Sequence, residues 1–185
     1  GLTTTQFELV SLDLTKPVVF ATKGSERTEA IDRIARQLAI PLRIENAAHQ
    51  SLGEDKIGEE LDGLASGTVL AYLLRPAGYS LVPGLEGTDV VLRVVQAKPG
   101  LEIWPIGFEP KEPANQILPA LYEFRDVNIA GVSAQVVIDA LGKKLEVPIL
   151  PDHNALARHG IDPAKKIVSF PRSRTTYSLA LRRIL

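Results

Sequence analysis

Between Glu26 and Ala39 the apolar residues Ala30, Ile31, Ile34, Ala35 and Leu38 return at helical spacing. Glu26, Arg27, Glu29, Arg33 and Arg36 fall largely on the opposite face. Pro41 bars further helix, and Leu42-Arg43-Ile44 alternates as a half-buried strand does. The same phrase comes back from Gln135 to Ile149. Leu38, Ile40, Pro41 and Leu42 are answered by Leu145, Val147, Pro148 and Ile149, each 107 positions on (38 to 145), and Ile31 and Asp32 by Ile138 and Asp139. The pattern predicts one helix-to-strand unit used twice.

Around the first copy, Phe7 to Leu14 alternates loosely and predicts an opening strand, and Val18-Val19-Phe20-Ala21 a buried one. Ser25 is a fair N-cap for the helix, which makes Val18–Ala21, Glu26–Ala39 and Leu42–Ile44 a crossover unit. Ala47 to Glu54 is a polar loop or a short helical turn, and Lys56 to Leu61 a weak strand. Ser66 to Leu74 predicts a second helix with Val69, Leu70, Leu73 and Leu74 inward, closed by Pro76 and Gly78. Tyr79–Val82 and Val90–Val95 then form a hairpin around a glycine-containing loop.

Lys98 to Pro119 is broken by five prolines, yet Leu101, Ile103, Trp104, Ile106 and Phe108 are too apolar to stay in water. It reads as an ordered connector, with Trp104 packed where the two halves meet or, alternatively, exposed for a partner. The second copy opens with a strand at Leu121–Phe124, then a helix Ser133–Leu145 and a strand Val147–Leu150. A short helix capped by Asp152 and stopped by Gly160 follows, then a strand Lys166–Phe170 ended by Pro171, and a helix Thr175–Leu185. Leu181, Ile184 and Leu185 answer Leu70, Leu73 and Leu74 at an offset of 111 (74 to 185), so four extra residues belong to the loop with the two histidines. Nothing after Leu185 answers the hairpin, so the second unit reads as incomplete. Its helix face at Leu181, Ile184 and Leu185 then needs cover from the connector, from Phe7–Leu14 or from a neighbouring molecule.

Composition narrows the function classes. The 185 residues are 45% hydrophobic but only 5% aromatic, so the core is aliphatic. Lys and Arg (21) balance Asp and Glu (22), which leaves no field to hold nucleic acid or an anionic membrane. No run approaches the roughly 18 apolar residues of a membrane span, and no signal-peptide pattern opens the chain. Gly1 without a Met reads as a cleavage scar or an excised piece, so a removed targeting segment stays open. The absence of cysteine excludes disulfides and thiol chemistry.

Glu29-Ala30-Ile31-Asp32-Arg33-Ile34-Ala35-Arg36-Gln37-Leu38 and Val69-Leu70-Ala71-Tyr72-Leu73-Leu74-Arg75-Pro76-Ala77-Gly78-Tyr79 resemble the short N-terminal domain of bacterial secretins and TonB-dependent receptors. The second copy resembles it at Val136–Leu141 and Leu179–Leu185. Ala39 stands where that family has glycine, the Lys56–Leu61 segment is unusually acidic, and no secretin pore or receptor barrel is present. The resemblance covers about residues 17–95 and 120–185. It implies an α+β fold of two related two-layer βαββα-type units with small mixed sheets: a first unit at 1–97, the connector at 98–119 and a truncated second unit at 120–185. It also implies protein–protein contacts in the periplasm or cell envelope, with no catalytic residues and no cofactor.

Candidate chemistry is sparse. His153 and His159 stand six apart, away from a common helix face, and His49 is isolated, so surface histidines are the favoured reading over a metal site. Asp152 beside His153 lacks a nucleophile and reads as a cap. The acidic cluster Glu54, Asp55, Glu59, Glu60 and Asp62 fits no calcium loop and reads as a solvated face. Pro83-Gly84-Leu85-Glu86-Gly87 lies in a hairpin, where a phosphate loop does not sit. Arg172, Arg174, Arg182 and Arg183 form the one local basic patch. These observations predict an interaction or assembly module that docks through sheet edges and helix faces, with a protein partner or self-association. The alternative is a small-ligand or glycan (peptidoglycan) site in a cleft between the units, with Trp104, Tyr122, Arg172 and Arg174 as candidate contacts.

Overall fold

A computed structural model describes residues 1–53 and 55–184, so Glu54 of the acidic cluster and Leu185 of the last helix lie outside the described residues. The chain is α+β and divides into two compact units, Gly1–Phe108 and Glu109–Leu185. Residues 98–108 of the expected connector therefore belong to the first unit and 109–119 to the second.

The first unit begins with a helix, α1 (Thr4–Leu14), where a strand was expected. Thr3 and Gln6 close a reciprocal capping box, and Val10 and Leu14, one turn apart, are buried. The three-residue alternation at Phe7–Leu9 is overruled by that cap. Asp13, buried on the same helix, accepts Ala39 N–H at 3.1 Å and Ile40 N–H at 2.8 Å and pairs with Lys16. It thereby ties α1 to the end of α2 (Arg27–Gln37), whose N-cap is Glu26, with no side-chain cap, rather than Ser25.

Val18–Ala21 and Lys56–Leu61 lie side by side, antiparallel, but are not regular strands, so the crossover unit does not form. Isolated bridges join Pro17 to Ala65 and Glu26 to Lys56, with backbone hydrogen bonds between Val18 and Leu64 and between Val18 and Gly63. Between them side chains replace the ladder. Thr22 N–H and hydroxyl both donate to Glu60 Oε1, and Leu61 N–H donates to the Thr22 hydroxyl. Burial pushes the Glu60 carboxyl up, but the donors at Thr22, Asp62 and Leu61 outweigh it and hold it below its ordinary value. The acidity of this segment is structural.

The strand β1 (Leu42–Ile44) runs parallel to β3 (Asp89–Gln96), which pairs antiparallel with β2 (Tyr79–Glu86), in the order β1-β3-β2. The hairpin strands extend through Pro83 and Gly84 to a two-residue turn, Gly87-Thr88. Between β1 and this hairpin come α3 (Asn46–Ser51) and α4 (Ser66–Leu74), the latter with the expected bounds. Val69, Leu70, Leu73 and Leu74 are buried, and each such side chain contributes roughly 1.5–3 kcal/mol.

The second unit holds α5 (Ala114–Ile117), β4 (Arg125–Ser133), α6 (Ala134–Leu145), α7 (His153–Arg158), β5 (Ile167–Thr175) and α8 (Tyr177–Ile184). β4 pairs antiparallel with β5, with register shifts between Val127 and Val132. Leu121–Phe124, expected as a strand, is the last residue of a 3-10 turn and the bend after it, and pairing starts at Arg125. β5 continues past Pro171 to Thr175. Val147–Leu150 is not a strand. Its counterpart in the first unit is held by β3, whereas Val147–Leu150 pairs with no strand among the described residues.

The duplication is clearer in the structure than in the letters. The bridge Glu26↔Lys56 has its counterpart in Ser133↔Ile167, and the pair Val18 and Leu64 in Arg125↔Thr175, at the two offsets read from the sequence. α3 (46–51) and α7 (153–158) coincide at 107. Gly24 and Gly131, and Gly53 and Gly160, share a left-handed backbone. The extra residues therefore follow Gly160 and precede Ile167. In each unit an antiparallel pair of extended segments leads into two helices. In the second unit Leu181 and Ile184 pack against the core of Val127, Ala134, Val168, Phe170 and Ala180, so their cover comes from their own β4 and β5. The segment Phe7–Leu14 packs in the first unit.

Candidate interaction groove

The four residues singled out for contact do not share one unit. Trp104 is 5% exposed within the first unit. Its backbone N–H donates to Leu81 O at 2.7 Å, and its ring meets Phe7 and, edge-on, Phe108, with centroids 6.0 and 5.2 Å away. Gly67 of α4 is bare because a Cβ there would run into Trp104 Nε1. Tyr122, Arg172 and Arg174 belong to the second unit. Tyr122 follows the 3-10 turn, and the two arginines are exposed on β5, Arg174 opposite Asp126. Arg182 and Arg183 are exposed on α8.

Among the described residues the histidines and carboxylates do not gather into one cluster. His49 Nε2 stands 3.4 Å from an Asp32 carboxylate oxygen at the surface; His153 opens α7 and His159 follows its end, and Asp152 caps that helix by accepting Ala155 N–H at 3.0 Å. Among the described residues no three metal-ligating side chains come together, and no helix is long and apolar enough to cross a membrane. Tyr72 is held protonated by burial and by Glu59, which accepts its hydroxyl.

Two concave surfaces stand out among the described residues. The first unit carries an open trough of about 1000 Å³, lined among others by Phe7, Pro83, Arg93, Trp104 and Phe108. The second unit carries a groove of about 360 Å³ between β4, α6 and α8. Val127 and Ile129 of β4 form its floor with Leu141, Leu181 and Ile184, while Val136 and Ala140 stand at its rim. Val136 is 54% exposed. Lys144 closes one end with its ammonium 5.5 Å above the Tyr177 ring. β4 has β5 on one side and no strand on the other among the described residues, so backbone donors and acceptors border an aliphatic floor.

Of the groove residues, Leu181 and Ile184 were expected to need cover, but Val127, Val136 and Ala140 were not expected as contacts. The signal that finds them is the comparison of repeats: Val127, Val136 and Ala140 stand where the first unit has Phe20, Glu29 and Arg33. In the first unit the Arg33 guanidinium lies 3.9 Å above the Phe20 ring. No family model, curated protein or solved structure matches the chain.

Proposed function

We propose that the chain is a non-catalytic protein-interaction or assembly module that docks a partner on the groove of the second unit. The observation that carries this reading is an unpaired strand edge bordering an aliphatic floor. Backbone groups of β4 supply affinity by strand addition, and the floor supplies selectivity through side-chain contacts. A setting in a bacterial envelope protein, with the partner in the periplasm, is supported by the resemblance to the short N-terminal domain of secretins and TonB-dependent receptors.

The test places a photo-crosslinking p-benzoylphenylalanine at Val136, and for comparison at the exposed Lys165, in cells that express the protein. A discrete protein adduct from position 136 and none from 165 is expected. Equal labelling from both positions, or none from 136, overturns the reading.

A second reading, small-ligand or glycan binding, is favoured by the aromatic lining and the Arg93 guanidinium of the trough in the first unit. There Trp104 reports occupancy directly. Muropeptides that leave its fluorescence unchanged exclude a glycan at that place.

A further inference from the structure

The two units solve one packing problem in two ways. In the first, the position two residues beyond Val18 carries Phe20, whose ring is buried and roofed by Arg33 of α2. The equivalent β4 position carries Val127 and the equivalent α6 position Ala140, which is exposed. The ring and its roof are both missing, and the groove opens there. The rim changes in the same sense. Glu29, a charge that keeps the first unit's helix face in water, is answered by Val136, an aliphatic side chain left largely in water. Shrinking the filler alone leaves a cavity that costs stability. Removing the rim charges as well makes the opening apolar, which is what an incoming apolar group needs.

We infer that this groove is a receptor for one aromatic side chain, presented on an extended segment of a partner protein. The ring takes the volume that Phe20 fills in the first unit. It lies on Val127 and Leu141, against Val137 and Ile184, and beneath the rim at Val136 and Ala140. The segment that brings it is extended because β4 borders the groove with an unpaired edge. The register shifts in β4 between Val127 and Val132 limit strand addition to a few residues, so the ring supplies most of the selectivity. Lys144 at the end of the groove favours an acidic residue beside the ring.

This inference rests on the groove being a docking site, and the experiment separates the two. The probe is the peptide acetyl-Thr-Val-Phe-Val-Thr-amide, with its alanine counterpart in place of phenylalanine, added to the full chain under methyl NMR. The phenylalanine peptide is expected to shift the methyl signals of Val127, Val137, Leu141, Leu181 and Ile184, and the alanine peptide to bind roughly ten-fold more weakly. Ala140→Arg, at an exposed position, restores the roof of the first unit and abolishes those shifts. Val127→Phe with Ala140→Arg restores ring and roof together, with the same loss of binding. Equal shifts from both peptides, no shifts at millimolar peptide, or full binding by Ala140→Arg overturns the aromatic receptor. If the Val136 crosslink still forms under any of those outcomes, the docking reading stands and only its occupant is wrong.

Discussion

Helix α4 buries Ser66, Gly67 and every residue from Val69 to Leu74, whereas α8, at the same place in the repeat, buries Ala180 and Ile184. The two helices start from the same kind of extended segment. They differ in what else touches them. α4 also meets α1 and the β1-β3-β2 sheet, and Trp104 closes over its Gly67. α8 meets β4 and β5. The sequence follows the cover: Ala71 and Tyr72 are answered by Arg182 and Arg183, side chains that belong in water. One stripe of aliphatics is enough to fold the helix, and the remaining faces record what each copy has been built to meet.

The largest test of that contrast is truncation at one matched position. Leu70 is fully buried, and Leu70→Ala is expected to cost about 3–4 kcal/mol in urea unfolding followed by Trp104 fluorescence. Leu181, its counterpart, is half-buried, and Leu181→Ala is expected to cost about 1 kcal/mol, read by amide exchange across α8. Equal costs would break the claim that the two stripes differ in cover.

Next comes a charge that the first unit alone possesses. Burial raises the Asp13 carboxyl, but Lys16 and the N–H groups of Ile40 and Ala39 outweigh it and hold it below its ordinary 3.8. Asp13→Asn is expected to cost about 2 kcal/mol at neutral pH. A depressed folded pKa gives stability that is complete above the unfolded value and lost as pH falls through the folded one. The gap between wild type and variant should therefore be constant at neutral pH and close in acid. The second unit has Ala120 at the matching position, so amide exchange there should not change with this variant.

Gly67→Ala is expected to cost about 1–3 kcal/mol and to shift Trp104 emission, because the new methyl displaces the indole and presses on Leu14 Cβ at 2.9 Å. Its counterpart Ser178 already carries a Cβ in the half-open setting of α8, so Ser178→Ala should stay within about 0.5 kcal/mol.

The long, strongly periodic helices and the hairpin were legible in the letters, because a 3.6-residue stripe with a cap or a proline is a local property. The end of α4 followed from Pro76 and Gly78 in this way. Strands that depend on a partner were not. Val147–Leu150 has the composition of a strand, but a strand is a pairing, and its partner is missing among the described residues. Thr22 and Glu60 hid a ladder that side chains complete, and Phe7–Leu9 imitated alternation inside a capped helix. The groove was hidden for a different reason. Val127, Val136 and Ala140 are unremarkable singly and acquire meaning only beside Phe20, Glu29 and Arg33, whose stacking no periodicity predicts.

The smallest effect concerns how the matched helices begin. Glu26 and Ser133 are the N-caps of α2 and α6, one repeat apart, and both are extended. Ser133 Oγ accepts Val136 N–H at 3.4 Å, a long bond, while Glu26 makes no side-chain cap. Ser133→Ala is therefore expected to cost about 0.5 kcal/mol, the low end for a cap, and Glu26→Ala still less, since only its charge near the positive helix terminus is lost. Glu26→Ser tests the same geometry in reverse. It supplies the missing acceptor on a backbone already held by the bridge to Lys56, so α2 should resist amide exchange slightly more, by about 0.5 kcal/mol. A loss there would mean that the Glu26 carboxylate matters more to α2 than a cap does, and the two starts would not be interchangeable.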